Sequence, residues 1–245
     1  MITEGIVIRT TNYRDNDRFL SLLTPGYGRV DALARGCRKQ KSPLLAGCEL
    51  LTSGEFNLVQ AHGRLIVAGI TLHDSFYPIR TEPENYLYAC YLAEVCTAAI
   101  PAAQEAPGPY GTLLTTLYTL AYDSGARGLS TLCAAMLLLI DDLGYRPRLT
   151  RCVHCHTPLD LTGNCAMDTE GGGLCCPACA ATRPVWTLSH EDVVWISETL
   201  RLRAIPQKND RAAGLLGMLR EDLETRLEIP IRSGKMLGRM AGGLA

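Results

Sequence analysis

The 245-residue chain has no apolar run long enough to span a bilayer: the longest, Leu132–Ile140, has nine residues. Its start carries Glu4 and no basic stretch ahead of an apolar core, so no secretory signal is visible. The expectation is a soluble, cytoplasmic protein. Catalytic signatures are missing too. No G-x-x-x-x-G-K-[ST] occurs, and Ser233-Gly234-Lys235-Met236 lacks both the upstream glycine and the terminal hydroxyl of a P-loop. There is no G-x-S-x-G elbow, no H-E-x-x-H, and no H-x-E ahead of cysteine pairs. The adjacent acids Asp141 and Asp142 end a helical stretch before Gly144 and read as a solvated terminus. These absences give the expectation of a protein that is not an enzyme. Aromatics are also scarce, at 6% with three Phe and two Trp, which limits stacking platforms for bases.

Cysteine, by contrast, is abundant. There are 11, an odd number in a chain without a visible export signal, which argues against a disulfide framework. Six of them (Cys152, Cys155, Cys165, Cys175, Cys176, Cys179) fall in one 28-residue window. Cys152-x-x-Cys155 and Cys176-x-x-Cys179 are separated by 20 residues, the arrangement of a four-cysteine zinc site. Pro158, Gly163 and the run Gly171-Gly172-Gly173 supply tight turns between them. Four thiolates would fill a tetrahedron, so such a metal would be structural. Cys175 is an alternative to Cys176, and His154 and His156 are lower-ranked substitutes. A redox dithiol at Cys176-Pro-Ala-Cys179 is the rival reading, but no βαβ unit surrounds it and it would leave Cys152 and Cys155 unexplained.

Elsewhere the hydrophobic period divides the chain. The first 80 residues read as five short antiparallel strands: one around Ile6 and Ile8, one over Phe19–Leu23, a third in which Val30, Ala32 and Ala34 alternate with Arg29, Asp31 and Arg35, then Glu49–Val59 and Arg64–His73. This predicts a small barrel of OB or SH3 type, with Phe19 in its core. From residue 84 the period is helical. Glu84–Ile100 is apolar nearly all round and is expected at the centre of a bundle; stripes through Leu113, Leu117 and Leu132, Met136 follow. Ser189 with Asp192 starts another helix as a capping box. The α+β plan is a barrel over residues 1–80 and a helical domain over 81–245, with the cysteine insertion at about 150–182.

Charge is uneven as well. The net −1 conceals eight Lys/Arg against four Asp/Glu in the first 41 residues. Arg35, Arg38, Lys39 and Lys41 lie within seven residues, and Arg14 and Arg18 precede the second strand. Such a cluster on a small barrel suits a phosphate backbone, bound salt-sensitively and without sequence preference. Tyr13 and Tyr27 are the nearby stacking candidates. Arg201, Arg203 and Arg211 are available to an acidic partner, and Arg232, Lys235 and Arg239 form a basic tail. The alternative is a zinc-ribbon scaffold that binds proteins and not DNA.

Gly5-Ile-Val-Ile-Arg9, Tyr13-Arg-Asp-Asn-Asp17-Arg18, Leu22-Leu-Thr24, Gly28-Arg29 and Ala34-Arg35-Gly36-Cys37-Arg38-Lys39 carry a resemblance to the bacterial recombination mediators of the RecO family. The order of barrel, helices and four-cysteine insertion resembles that family as well. The resemblance implies an OB-fold and a role in RecFOR-type DNA repair. It implies binding of single- and double-stranded DNA, strand annealing without ATP or another nucleotide, and, with RecR, assistance to RecA loading on DNA coated by single-strand DNA-binding protein (SSB). It maps the DNA surface onto Arg14, Arg18, Arg35, Arg38, Lys39 and Lys41, and one structural Zn2+ onto Cys152, Cys155, Cys176 and Cys179. The doubled Cys175-Cys176 departs from the family's single cysteine and leaves the third ligand open.

Overall fold

A computed structural model describes residues 1–61, 63–125, 127–205, 211–228, 231 and 233–237. Arg232 and Arg239 of the basic tail lie outside the described residues. Five strands come first: β1 (Ile2–Tyr13), β2 (Asp17–Thr24), β3 (Gly28–Ala34), β4 (Ser53–Ala61) and β5 (Arg64–Asp74). They close into a barrel in the order β1-β2-β3-β5-β4, with β1 hydrogen-bonded to both β2 and β4. The β3–β5 pair is parallel (Ala32 opposite Leu65), while the others are antiparallel. That order is the five-stranded Greek-key barrel of the OB type, which decides between the two barrels left open by periodicity.

Period-2 alternation explains the interior. Leu20 and Leu22, then Val30, Ala32 and Ala34, then Phe56 and Leu58 point inward with Val7 and Val67. The residues of opposite parity reveal a second layer. Ile6, Ile8 and Leu33 are also buried but lie outside that cluster. Helices α2 (Pro83–Ala99) and α3 (Pro107–Tyr122) contact β1 and β2 from outside the barrel. The Ile6/Ile8 face is therefore a docking face for helices. Phe19 departs from expectation: it is half-buried, outside the barrel core, and its ring packs 4.9 Å from that of Tyr13. It faces outward because Leu20 and Leu22 already take the inward parity of β2.

The turn Pro25–Gly28 is fixed to the α2–α3 connection. Gly28 has φ +61°, and a Cβ there would stand 2.3 Å from the Gln104 carbonyl oxygen. The next residue, Arg29, donates its N–H to the Pro101 carbonyl at 3.2 Å. Only glycine fits both the left-handed backbone and the close approach.

A helix α1 (Tyr77–Thr81) leads into α2, and Met1–Ser124 together with Ile231–Leu237 forms one compact unit. The strands end at Asp74, whereas the break between compact units falls at 124/125. The second unit takes the described residues from Gly125 to 228. Here the expected bundle centre shifts. α2 packs between the barrel, α1 and α3, whereas α4 (Gly128–Asp142) is buried without a break from Ser130 to Ile140 and packs against α6 (His190–Leu202) and α7 (Ala212–Leu227). A helix covered by a barrel on one side and helices on the other reads in sequence like one inside a bundle.

The rest of the second unit is a three-stranded sheet, β7-β6-β8, from β6 (Cys165–Asp168), β7 (Gly173–Cys175) and β8 (Trp186–Leu188), with a single turn of helix, α5 (Pro177–Ala180). The capping box forms as expected: the Ser189 hydroxyl accepts the Asp192 N–H at 3.2 Å, and the Asp192 carboxylate accepts the Ser189 N–H at 2.9 Å.

Candidate nucleic-acid surface and metal centre

The basic residues of the barrel come together through two turns. Arg14 follows β1 with φ +53°, its guanidinium 5.2 Å from the centroid of the Tyr13 ring. The turn after β3 folds against it. Gly36, at φ +64°, donates its N–H to Asp17 Oδ1 at 2.8 Å, and the Arg38 N–H reaches the Asn16 carbonyl at 3.1 Å. Arg14, Arg35 and Lys39 thereby line one open groove with Asp15, Asn16, Asp17 and Gly36. Arg38 lies against the same turn, donating from Nη1 to the Asp15 carbonyl at 3.0 Å. The acids Asp15 and Asp17 temper the charge of this groove, although Asp17 is engaged by Gly36. Lys41 is exposed beyond the groove lining.

Arg18 stands apart from this group. Its Nη1 donates to the Cys48 carbonyl at 2.9 Å and to Glu49 Oε1 at 3.0 Å, and its Nε reaches Asn12 Oδ1 at 3.3 Å. Only 16% of the side chain is exposed. Arg29 is likewise engaged, donating to the Thr97 carbonyl at 2.8 Å. Both guanidiniums tie elements together.

In the second unit the four cysteines converge. The sulfurs of Cys152, Cys155, Cys176 and Cys179 all lie within 4.8 Å of one another, with Cys155 and Cys176 3.6 Å apart. A tetrahedron with metal–sulfur bonds of about 2.3 Å has edges of about 3.8 Å, so the group can hold a metal ion with little adjustment. The first pair sits on a turn closed by the His156 N–H to the Cys152 carbonyl (3.0 Å), with His156 at φ +61°. The second begins at Cys176, the N-cap of α5. Cys175, its neighbour, is the last residue of β7 and is buried, with its sulfur 3.7 Å from the Ala166 carbonyl oxygen. Adjacent strand residues point to opposite sides, so only one of the two reaches the knuckle, and that is Cys176. Cys165 is buried outside the group.

The electrostatics of the sulfurs differ. Burial pushes the Cys152 thiol up, but backbone N–H groups of Cys155, Cys176 and His154 outweigh it and bring the pKa down to about 5. The Thr157 hydroxyl and backbone lower Cys155. Cys179, hydrogen-bonded first to Cys176 and then crowded by the other sulfurs, is pushed up to about 12. A cation among them would remove that mutual repulsion. His154 is held elsewhere, with its Nε2 2.7 Å from Asp168 Oδ2.

Two expectations for the second unit are corrected. Asp141 and Asp142 do not form a solvated terminus: their side chains are 10% and 4% exposed, and both pair with Arg203. Arg203 is consequently not available to an acidic partner. Arg211 stands 3.6 Å from Asp192, which leaves Arg201 as the exposed one of the three without such an ion pair among the described residues. Opposite charges brought together by the fold were invisible to spacing alone. Sequence reading also passed over Arg146, Arg148 and Arg151, which line a groove beside the knuckle; the spacing Arg-Pro-Arg-x-x-Arg was the available signal.

No helix among the described residues is long and apolar enough to cross a membrane. The class is an OB-type barrel protein with a helical second unit and a four-cysteine metal-binding group. Residues 1–74 match the family described as "Recombination protein O N terminal", and residues 80–235 match "Recombination protein O C terminal". The chain is similar to DNA repair protein RecO of Dehalococcoides mccartyi strain CBDB1, 31% identical over 231 residues that cover 94% of this chain and 87% of the other. It is also similar to DNA repair protein RecO of Symbiobacterium thermophilum, 32% identical over 178 residues covering 72% of this chain and 70% of that one. The chain belongs to the recombination protein O (RecO) family and has a role in DNA repair and recombination.

Proposed function

We propose that the protein is a non-enzymatic recombination mediator that binds single- and double-stranded DNA through its barrel. The observation that carries this reading is the shared groove of Arg14, Arg35 and Lys39, with Arg38 against the same turn. Guanidiniums and an ammonium on one open surface neutralise phosphates and release counterions. Tyr13, under Arg14 and against Phe19, is the nearest platform on which a base can stack. Annealing needs no nucleotide on this reading. A basic surface that holds two strands screens their repulsion, and few base contacts leave the edges free to pair.

Within the RecFOR scheme the protein would act with RecR to help load RecA on SSB-coated DNA, in the cytoplasm at the nucleoid. The metal would be one Zn2+ held by Cys152, Cys155, Cys176 and Cys179. Four soft thiolates suit zinc, leave no open coordination position and assign it to structure. Arg18 supports the barrel on this reading, and Lys41 adds charge at the edge of the surface.

The test is strand annealing: two complementary labelled oligonucleotides, purified protein, no nucleotide, at two salt concentrations. Acceleration that fades with salt and with Arg35→Glu and Arg38→Glu supports the reading. No acceleration by folded, zinc-loaded protein moves it to a protein-binding scaffold.

A further inference from the structure

We propose that the groove between residues 146–151 and α6 is a second phosphate-binding surface, carried by the helical unit beside the metal knuckle. The proposal rests on the DNA-binding reading above and deepens it. Arg146, Arg148, Thr150, Arg151, His156 and Ser197 line this open groove of about 490 Å3. All three arginines are exposed, and no Asp or Glu is in the lining. The barrel groove, by comparison, contains two carboxylates.

The segment that carries the arginines is built in. The Arg148 N–H donates to the Gly172 carbonyl at 3.0 Å, and the Arg148 carbonyl accepts the Leu174 N–H at 2.8 Å. A Cβ on Gly173 would stand 2.3 Å from that same Arg148 carbonyl oxygen, so glycine lets the chain lie close against the β6–β7 turn. Arg151 is bridged to Pro158 across the Cys152–Cys155 turn. The arginines therefore project from backbone fixed to the sheet and the knuckle.

Their guanidiniums are only partly engaged. Arg151 donates one bond, to the His156 carbonyl at 3.1 Å, and Arg148 one long bond, to the Gly171 carbonyl at 3.4 Å. Arg146 donates one long bond, to the Leu200 carbonyl at 3.4 Å, and lies 3.5 Å from Asp141, which Arg203 holds more closely at 2.9 Å. Each guanidinium has five N–H donors, so most remain for a ligand. The donor profile favours a nucleic acid over a protein. Arginines only donate, the hydroxyls of Thr150 and Ser197 can donate beside them, and no carboxylate or carboxamide lines the groove to receive the N–H groups of a peptide backbone. A phosphodiester brings only acceptors. With no Phe, Tyr or Trp in the lining and His156 its single aromatic ring, bases gain little stacking there, so this surface adds mainly charge contacts without sequence preference. One phosphate surface on each unit lets a single chain engage two strands.

The experiment uses the full-length, zinc-loaded chain with Arg148→Gln and Arg151→Gln together, compared with Arg35→Gln and Arg38→Gln. Fluorescence anisotropy of a labelled oligo-dT gives the salt slope, and the annealing assay reads two-strand engagement. Loss of two phosphate contacts should flatten the single-strand slope by about 1.4 and slow annealing at least tenfold, while Arg148→Lys with Arg151→Lys keeps the slope. Metal content equal to the unaltered protein shows that the knuckle survives. An unchanged slope and annealing rate in the groove variant, with both reduced in the barrel variant, overturns this proposal and leaves the barrel reading intact. If the unaltered protein does not bind oligo-dT, both fall. A polyglutamate peptide that binds, and is lost in the groove variant while DNA binding is not, also overturns it in favour of a protein partner.

Discussion

Asp168 joins the two halves of the metal knuckle by binding His154. The 2.7 Å contact runs from His154 Nε2 to Asp168 Oδ2, while Asp168 Oδ1 accepts the Gly171 N–H, also at 2.7 Å. A carboxylate only accepts, so Nε2 carries the proton and His154 donates. His154 lies between the first two cysteines, and Gly171 in the turn that leads through β7 to Cys176. One buried carboxylate thus ties the first cysteine turn to the β6–β7 turn. On the zinc reading, Asp168→Ala is expected to weaken metal binding by about tenfold, the low end for loss of an outer-shell support, read by competition with a chromophoric chelator. An unchanged affinity would show that the sulfurs hold their spacing without it.

Arg18 and Arg35 should separate stability from binding. Arg18 bridges the Cys48 carbonyl and Glu49 from a largely covered position, whereas Arg35 is exposed in the groove. Arg18→Ala is expected to cost about 1–3 kcal/mol of stability, because a charged bond is lost and a covered carbonyl is left unmet. Urea unfolding measures this. The salt slope of DNA binding should stay the same in Arg18→Ala and flatten in Arg35→Ala. The opposite result would return Arg18 to the DNA footprint.

How far such roles were legible in the sequence depended on the type of signal. The barrel was legible because Val30, Ala32 and Ala34 follow the strand period and all point inward. Which parity points inward was not legible where both faces are covered. Ile6 and Ile8 look like core and are buried by helices outside the barrel, while Val7 is the inward residue. Phe19 was misplaced for the same reason. The cysteine spacing picked out the four sulfurs that converge, since the geometry of such a group is written in short loops. Charge was least legible. The pairing of Arg203 with Asp141 and Asp142 joins residues about sixty positions apart, and nothing in local spacing records it.

The doubled cysteine gives a sharp test. Cys176 belongs to the four-sulfur group, and Cys175 is buried at the end of β7 facing Ala166. Burial, the largest influence, pushes the Cys175 thiol up and keeps it protonated at neutral pH. On the proposed zinc reading, Cys176→Ser is expected to lose the metal on mild chelator treatment, and Cys175→Ser to retain one ion per chain. Native mass spectrometry distinguishes the two. Zinc loss in Cys175→Ser and not in Cys176→Ser would exchange their roles.

Asp222 should make the second unit more stable in mild acid than its composition suggests. It is buried on α7, with its Oδ1 2.8 Å from Nη2 of Arg226. Burial raises its pKa above the ordinary carboxylate value, more than Arg226 lowers it. A raised pKa in the folded state means that folding favours the protonated form. Its stabilising contribution is complete below the ordinary value of about 3.9 and is lost as pH rises through the raised one. Asp222→Asn mimics the protonated side chain and keeps an oxygen for Arg226. The variant should therefore melt at a higher temperature than the unaltered protein at pH 7, with the difference shrinking as pH falls toward 4. A melting series across that range checks the sign. A lower melting temperature for Asp222→Asn at pH 7 would mean that the charged pair with Arg226 outweighs the cost of burying it.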